Sequence, residues 1–155
     1  MNEYKFYMQQ VEWDESTSSF RYIEDTFVDL ESHFNGLKYL KCEGLNNIGE
    51  RKVYVEEYSD DDRKRVYIPK EHICNPIEIK LSLLFVGDDR QYIFDKFNTY
   101  ITDGHHAYWD TARKKRVIFY ISKPITPSDD IFKGSTPYIK VTYTLSCVYG
   151  RAFNV

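Results

Sequence analysis

One stretch, residues 77–150, constrains the fold more than any other part of this sequence. It begins with Ile77–Val86, in which apolar and polar residues alternate as in a half-buried β-strand. In residues 89–101, apolar side chains then recur at the spacing of an amphipathic helix. After a glycine-containing break, two more alternating segments follow at residues 115–122 and 138–148. This order predicts a β-sheet with a single helix packed on it.

The composition is consistent with one β-rich domain. The chain has 155 residues, an ordinary length for a single domain, and we expect residues 1–155 to form one. It contains 14 Tyr and 10 Phe, residue types that are enriched in strands. We therefore expect an α+β, β-dominated fold: an antiparallel β-sandwich or partly open barrel with one packed amphipathic helix at about residues 89–101. The net charge of −3 differs from the basic character of most nucleic-acid-binding domains.

The first half of the chain has a less distinct pattern. Residues 5–13 alternate like a strand, and residues 53–58 and 65–69 are predicted to be two strands joined by an acidic turn. Between residues 20 and 45, apolar residues recur at helical spacing, yet glycines interrupt the segment. Both a short helix and an extended arm over about residues 20–47 are compatible with this pattern.

The three cysteines, Cys42, Cys74 and Cys147, are widely spaced and odd in number. This argues against a disulfide framework and against a zinc ribbon, and it favours folding in a reducing compartment. Cys147 falls on the apolar side of its strand, where a buried, inert thiol is expected. The first residues begin no apolar run, so we expect no secretory signal, and residues 83–86 are too short an apolar run to cross a bilayer.

The cluster that most suggests chemistry is formed by His105, His106 and Asp110, which are metal-ligand residue types. Adjacent histidines on an extended chain point to opposite faces, so the favoured interpretation is a turn with Trp109 packed beneath the helix. An enzyme that uses His105 or His106 is the weakest hypothesis. We predict no catalytic, cofactor-binding or metal-binding residues, no cofactor and no enzymatic activity.

The order of these segments is similar to that of a known module. The segments that carry the likeness are residues 65–69 (RVYIP), 79–87 (IKLSLLFVG), 92–101, 108–111 (YWDT), 117–121 and 138–148. Together they resemble the β-sandwich-plus-helix module that tailed-bacteriophage tail-tube proteins share with the tube-like domain of distal tail proteins. The chain is too short to add the second, galectin-like domain of many distal tail proteins, and residues 20–45 have no counterpart in the module.

The resemblance implies a structural subunit of a phage or prophage tail, in its tube or distal ring, that acts by self-assembly. It implies a homo-oligomeric ring, such as a hexamer, with neighbouring tail proteins as partners, in the virion tail and, during assembly, in the bacterial cytoplasm. DNA would pass without specific contacts through a lumen lined by polar residues of two strands. These residues are Lys80, Ser82, Lys140, Thr142 and Thr144. In an isolated monomer the favoured interpretation of the same row is the solvent-facing side of a half-buried sheet. The alternative is a β-sandwich that binds a carbohydrate or another surface ligand through its Tyr and Trp rings.

Overall fold

The computed structural model describes residues 6–50, 54–57, 64–67, 75–128, 130–133 and 136–154. Within these ranges the chain forms mainly strands, with one short and one longer helix. The strands are β1 (Phe6–Asp14), β2 (Ser19–Tyr22), β3 (Val28–Asp29), β4 (Leu37–Glu43), β5 (Tyr54–Glu57), β6 (Lys64–Tyr67), β7 (Ile77–Val86), β8 (His105–Asp110), β9 (Lys115–Tyr120), β10 (Ile131–Lys133), β11 (Thr136–Cys147) and β12 (Phe153–Asn154). The helices are α1 (Leu30–His33) and α2 (Arg90–Thr102).

Ten of these strands belong to one antiparallel sheet, whose main path runs β2-β1-β8-β9-β11-β7-β4. Short strands extend it at three places, with β3 on β1, β10 on β11 and β12 on β9. Strands β5 and β6 pair with each other in a separate two-stranded ribbon. The expected α+β, β-dominated fold is confirmed.

The sheet curls so that its two sides approach each other, which makes it a partly open barrel. The rings of Phe6 in β1 and Tyr39 in β4 lie 4.9 Å apart, although four strands separate β1 from β4 along the sheet. Helix α1 contacts both β1 and β4 and thus lies at the opening between them. The inward side chains of the curled strands form the main core. The largest of them are Phe6, Met8, Phe85, Tyr108, Phe119 and Tyr143.

Helix α2 packs its apolar side onto this core. Phe94, Phe97 and Ile101 are buried, and the ring of Phe97 contacts those of Phe85 and Tyr143 at 5.4–5.8 Å. Burial of a side chain of this size contributes roughly 1.5–3 kcal/mol, so the stripe of three anchors the helix to the barrel. The helix begins after Asp89, whose side chain makes no capping hydrogen bond.

The segment from residue 20 to 47 lies in the barrel and does not form an extended arm. It contributes β2, β3, α1 and β4, and its apolar residues Leu30, Phe34 and Leu37 are buried. The short helix that the spacing suggests exists but spans four residues. Asp29 caps its start by accepting a hydrogen bond from Glu31 N (3.2 Å). Gly36 follows with a φ of +110°, a conformation suited to glycine, and the chain turns there into β4.

The other predicted elements agree closely with the structure. Strand β7 has the predicted bounds, and β1, β9 and β11 differ from theirs by at most two residues at either end. The predicted strands near residues 53–58 and 65–69 correspond to β5 and β6. The acidic turn between them and Cys74 lie outside the described residues.

Candidate assembly surface

Strand β8 divides its side chains between the inside and the outside of the barrel. His106, Tyr108 and Asp110 point inward and are at most 1% exposed. Trp109 lies on the opposite side, in a second apolar cluster outside the main core. The expectation that Trp109 packs beneath the helix is therefore wrong; His106 takes that place, with its ring 4.8 Å from Tyr100 of α2.

His106 is an enclosed imidazole and not an accessible ligand. It lies between Tyr100 and Phe119, and neither ring nitrogen has a hydrogen-bond partner among the described residues. Burial lowers the pKa of His106 from 6.5 to about 4, with a smaller opposing effect of Asp103 and a small lowering by His105. Because the imidazoles of His105 and His106 face opposite sides of β8, they do not converge on one point. Across the described part of the chain, no three His, Cys, Asp or Glu residues form a group that could hold a metal ion.

The outer side of β2, β1, β8 and β9 carries a network of aromatic rings, which we call the aromatic face. Trp109 is near its centre, 5.7 Å from Phe27 and 6.1 Å from Tyr22. The guanidinium carbon of Arg116 lies 5.1 Å from the ring centroids of both Tyr22 and Trp109, within the range of cation–π attraction. Further ring contacts extend the network to both sides. They join Tyr7 to Phe27, Trp13 to Phe20, Phe20 to His105 and Tyr149, His105 to Tyr120, and Tyr149 to Phe153.

Much of this aromatic face is open to solvent. Trp13 is 52% exposed, Phe27 49%, Tyr120 39% and Tyr149 37%. Single exposed apolar residues are ordinary, but a contiguous patch of large rings marks a surface that contacts another molecule. Tyr and Trp suit such contacts because each combines a rigid apolar ring with a polar atom. The aromatic face is therefore the strongest candidate for a functional surface in the described structure.

The outer side of β4, β7 and β11 has the opposite character, and we call it the polar wall. Lys80 and Lys140 are exposed there, and so is Thr142. Ser82, which the sequence places with them, is instead 2% exposed and shares a hydrogen bond of 3.0 Å with Thr142. Three further exposed charged residues complete the polar wall on β4. They are Lys38, Lys41 and Glu43.

Strand β4 has its outer edge capped by side chains. The backbone N–H of Tyr39 donates to Glu31 Oε1 (3.0 Å), and the carbonyl of Cys42 accepts from Arg113 Nη1 (3.2 Å). Arg113 is itself fixed by its backbone N–H, which donates to Asp110 Oδ1 (2.9 Å) in the turn between β8 and β9. Since unpaired strand edges invite another strand, these two caps make β4 a poor site for strand addition.

Strand β2 lies at the opposite end of the strand order, and among the described strands only β1 pairs with it, so its other edge is open. Ile23 N donates to Gln10 O (3.0 Å), and in an antiparallel pair such bonded positions alternate along the strand. The alternation directs the backbone groups of Arg21 toward β1 and those of Phe20 and Tyr22 away from it. The side chains of Phe20 and Tyr22 belong to the aromatic face, so the open edge borders it directly.

The two described cysteines are structural. Cys42 and Cys147 are unpaired and buried, and burial raises the pKa of each thiol to about 12. A thiol that stays protonated is a poor nucleophile. The buried position expected for Cys147 is confirmed.

Comparisons with known proteins do not assign this chain to a family. No protein-family model matches the chain, and a search of curated proteins finds no match. Of the helices within the described residues, none is both long and apolar enough to span a membrane.

Proposed function

We propose that this chain is a structural subunit of a phage or prophage tail, in its tube or distal ring, and that it acts by self-assembly without catalysis. The observation that carries the proposal is the division of the barrel's outer surface into an exposed aromatic face and a polar wall. A subunit that must contact copies of itself on one side and water on another needs two such unlike surfaces.

The order of elements supports the same proposal. Strand β7 leads directly into α2, and β8, β9 and β11 follow, which is the order on which the resemblance to tail-tube and distal tail proteins is based. In a ring of such subunits the aromatic face would be buried between neighbours. The ring is proposed to be a homo-oligomer such as a hexamer, which joins neighbouring tail proteins above and below.

The polar wall is proposed to face the lumen of that ring. Its exposed lysines and Thr142 keep water in contact with the surface, so a duplex could pass without specific contacts. The lysines outnumber the carboxylates on these three strands, with Lys38, Lys41, Lys80 and Lys140 against Glu43 and Glu78. Any attraction for phosphates is then electrostatic and falls steeply with salt.

Sedimentation velocity and electron microscopy of the purified chain, from dilute solution to its solubility limit, test this proposal. We expect closed rings or stacked rings that appear with increasing concentration. The variant Trp13→Ser removes a largely exposed ring from the aromatic face and should weaken the assembly without unfolding the chain. Tyr92→Ser is the matched control, because Tyr92 is an exposed ring on α2, outside the aromatic face. A monomer at every concentration and salt would refute the proposal.

The exposed rings also favour a second candidate function, the binding of a carbohydrate. Tyr and Trp faces stack on sugar rings, and Trp13 presents the more exposed of the two indoles on the aromatic face. A glycan array would reveal this activity directly. Binding that is lost with Trp13→Ala and kept with Tyr92→Ala would favour it over assembly.

A further inference from the structure

We propose that β2 of one copy pairs antiparallel with β2 of a second copy, about a two-fold axis that passes beside Arg21. The inference rests on the proposed function only in that the chain associates with itself. It assigns a particular contact, its register and its symmetry, none of which follows from self-assembly in general.

The backbone of the open edge is complementary to itself. The outward N–H and C=O groups belong to Phe20 and Tyr22, which stand two residues apart on β2. In an antiparallel pair centred on Arg21, Phe20 lies opposite Tyr22 of the second copy, and each outward donor meets an outward acceptor. The pairing therefore forms four backbone hydrogen bonds, with no outward group of these residues left unpaired.

The side chains are compatible with the same register. Residues opposite each other in an antiparallel pair share a face, so Phe20 and Tyr22 of the second copy form cross-strand aromatic pairs that continue the aromatic face. On the other side of the strand, Arg21 lies beside its counterpart. Each Arg21 forms an ion pair with Glu12 of its own copy, so the four groups carry no net charge.

The capped edge of β4 explains why the partner strand is another β2. A head-to-tail contact would add β2 to β4 of the next copy, but the groups at Tyr39 and Cys42 already bond to Glu31 and Arg113. A contact between two copies of the same edge is isologous and closes after two subunits. It therefore joins copies in pairs, and the contacts that close a ring lie elsewhere on the subunit.

Cysteine cross-linking in the full chain, with Cys74→Ser as background, tests the register. Opposite residues at a non-hydrogen-bonded position have Cα atoms about 4.5 Å apart, so Arg21→Cys should form a disulfide-linked dimer on mild oxidation. Glu12→Cys is the matched control: it lies beside Arg21 on the same side of the sheet, but its two copies would be three strand spacings apart, about 14 Å. We expect the linked dimer for Arg21→Cys and almost none for Glu12→Cys.

A second variant leaves the Arg21–Glu12 ion pair intact. Tyr22→Pro removes an N–H that points to solvent, and proline is tolerated at such positions of an edge strand. It removes two of the four bonds between copies, so the dissociation constant measured by sedimentation should rise about tenfold or more. Circular dichroism should show the fold unchanged, and Arg21→Cys combined with Tyr22→Pro should cross-link much less than Arg21→Cys alone at the same protein concentration.

The outcomes separate this inference from the proposed function. Equal cross-linking of Arg21→Cys and Glu12→Cys, or none by either, would overturn the β2 pairing. A link between Arg21→Cys and Val66→Cys in a mixture, with none for Arg21→Cys alone, would also overturn it and assign the β5–β6 ribbon as the partner. Rings without the Arg21 cross-link leave the proposed function standing. A cross-linked dimer that never grows further supports the pairing and removes the proposed function.

Discussion

The buried imidazole of His106 should make the stability of this protein depend on pH in a way that one substitution removes. His106 is fully buried between Tyr100 and Phe119, and its pKa in the folded chain is about 4, against 6.5 when it is exposed. Between these two values the unfolded chain binds a proton that the folded chain does not. The stability that depends on a neutral His106 is therefore fully present above about pH 6.5, and it is lost as the pH falls toward 4.

The size of this effect follows from the two pKa values. The step from 6.5 to about 4 corresponds to about 3 kcal/mol of unfolding free energy, which is a large part of the total for a domain of this size. Other acidic and basic groups also titrate in this range, so the prediction concerns the difference between the wild type and His106→Phe. Phenylalanine keeps an aromatic ring between Tyr100 and Phe119 and binds no proton.

Urea denaturation followed by circular dichroism, at about pH 7.5 and about pH 4.5, measures both free energies. The wild type should lose about 2.5 kcal/mol more than His106→Phe between these conditions. The matched control is His105→Phe, since His105 lies on the outer side of β8 and burial lowers its pKa less. The reasoning is refuted if wild type and His106→Phe lose the same amount, or if His105→Phe removes more of the loss than His106→Phe does.

Three further changes test the packing of the barrel. Phe97→Ala should lower the free energy of unfolding by about 3–5 kcal/mol, whereas Tyr92→Ala on the exposed side of the same helix should change it by less than about 0.5 kcal/mol; urea denaturation compares them. Tyr143→Phe removes a hydroxyl that donates to Asn98 Oδ1 at 2.5 Å, and a double-mutant cycle with Asn98→Ala should give a coupling of about 1 kcal/mol. Glu31→Ala uncaps the backbone of β4 and should cost about 1 kcal/mol, with faster hydrogen exchange at the Tyr39 amide; unchanged exchange would contradict the cap.

The sequence predicts those elements in which apolar residues recur with a regular period. In β7 and β11 one side of the strand is apolar and the other polar, so the alternation marks both the strand and its buried side. The spacing of Phe94, Phe97 and Ile101 marks α2 for the same reason. Strand β8 lacks this signal because both of its sides are covered, by the core on one side and by aromatic neighbours on the other.

The candidate surface could not be predicted from the sequence, because it depends on pairing between strands that are distant in sequence. The side of the sheet on which Trp109 lies follows from its pairing with Tyr7 and Arg116, which are distant in sequence. The open edge of β2 and the capped edge of β4 exist only once the order of strands is fixed. The abundance of Tyr and Phe does indicate a contact surface, but which rings gather outside the barrel is a property of the tertiary structure.

The caps on β4 have a consequence for behaviour at high concentration. A sheet with two open edges can recruit strands without limit, which is the route to fibres and aggregates. Here Glu31 and Arg113 block that route at β4, so the proposed pairing of β2 with a second β2 would end with a single partner. Two polar side chains thus oppose aggregation through one edge of a sheet that is rich in aromatic residues.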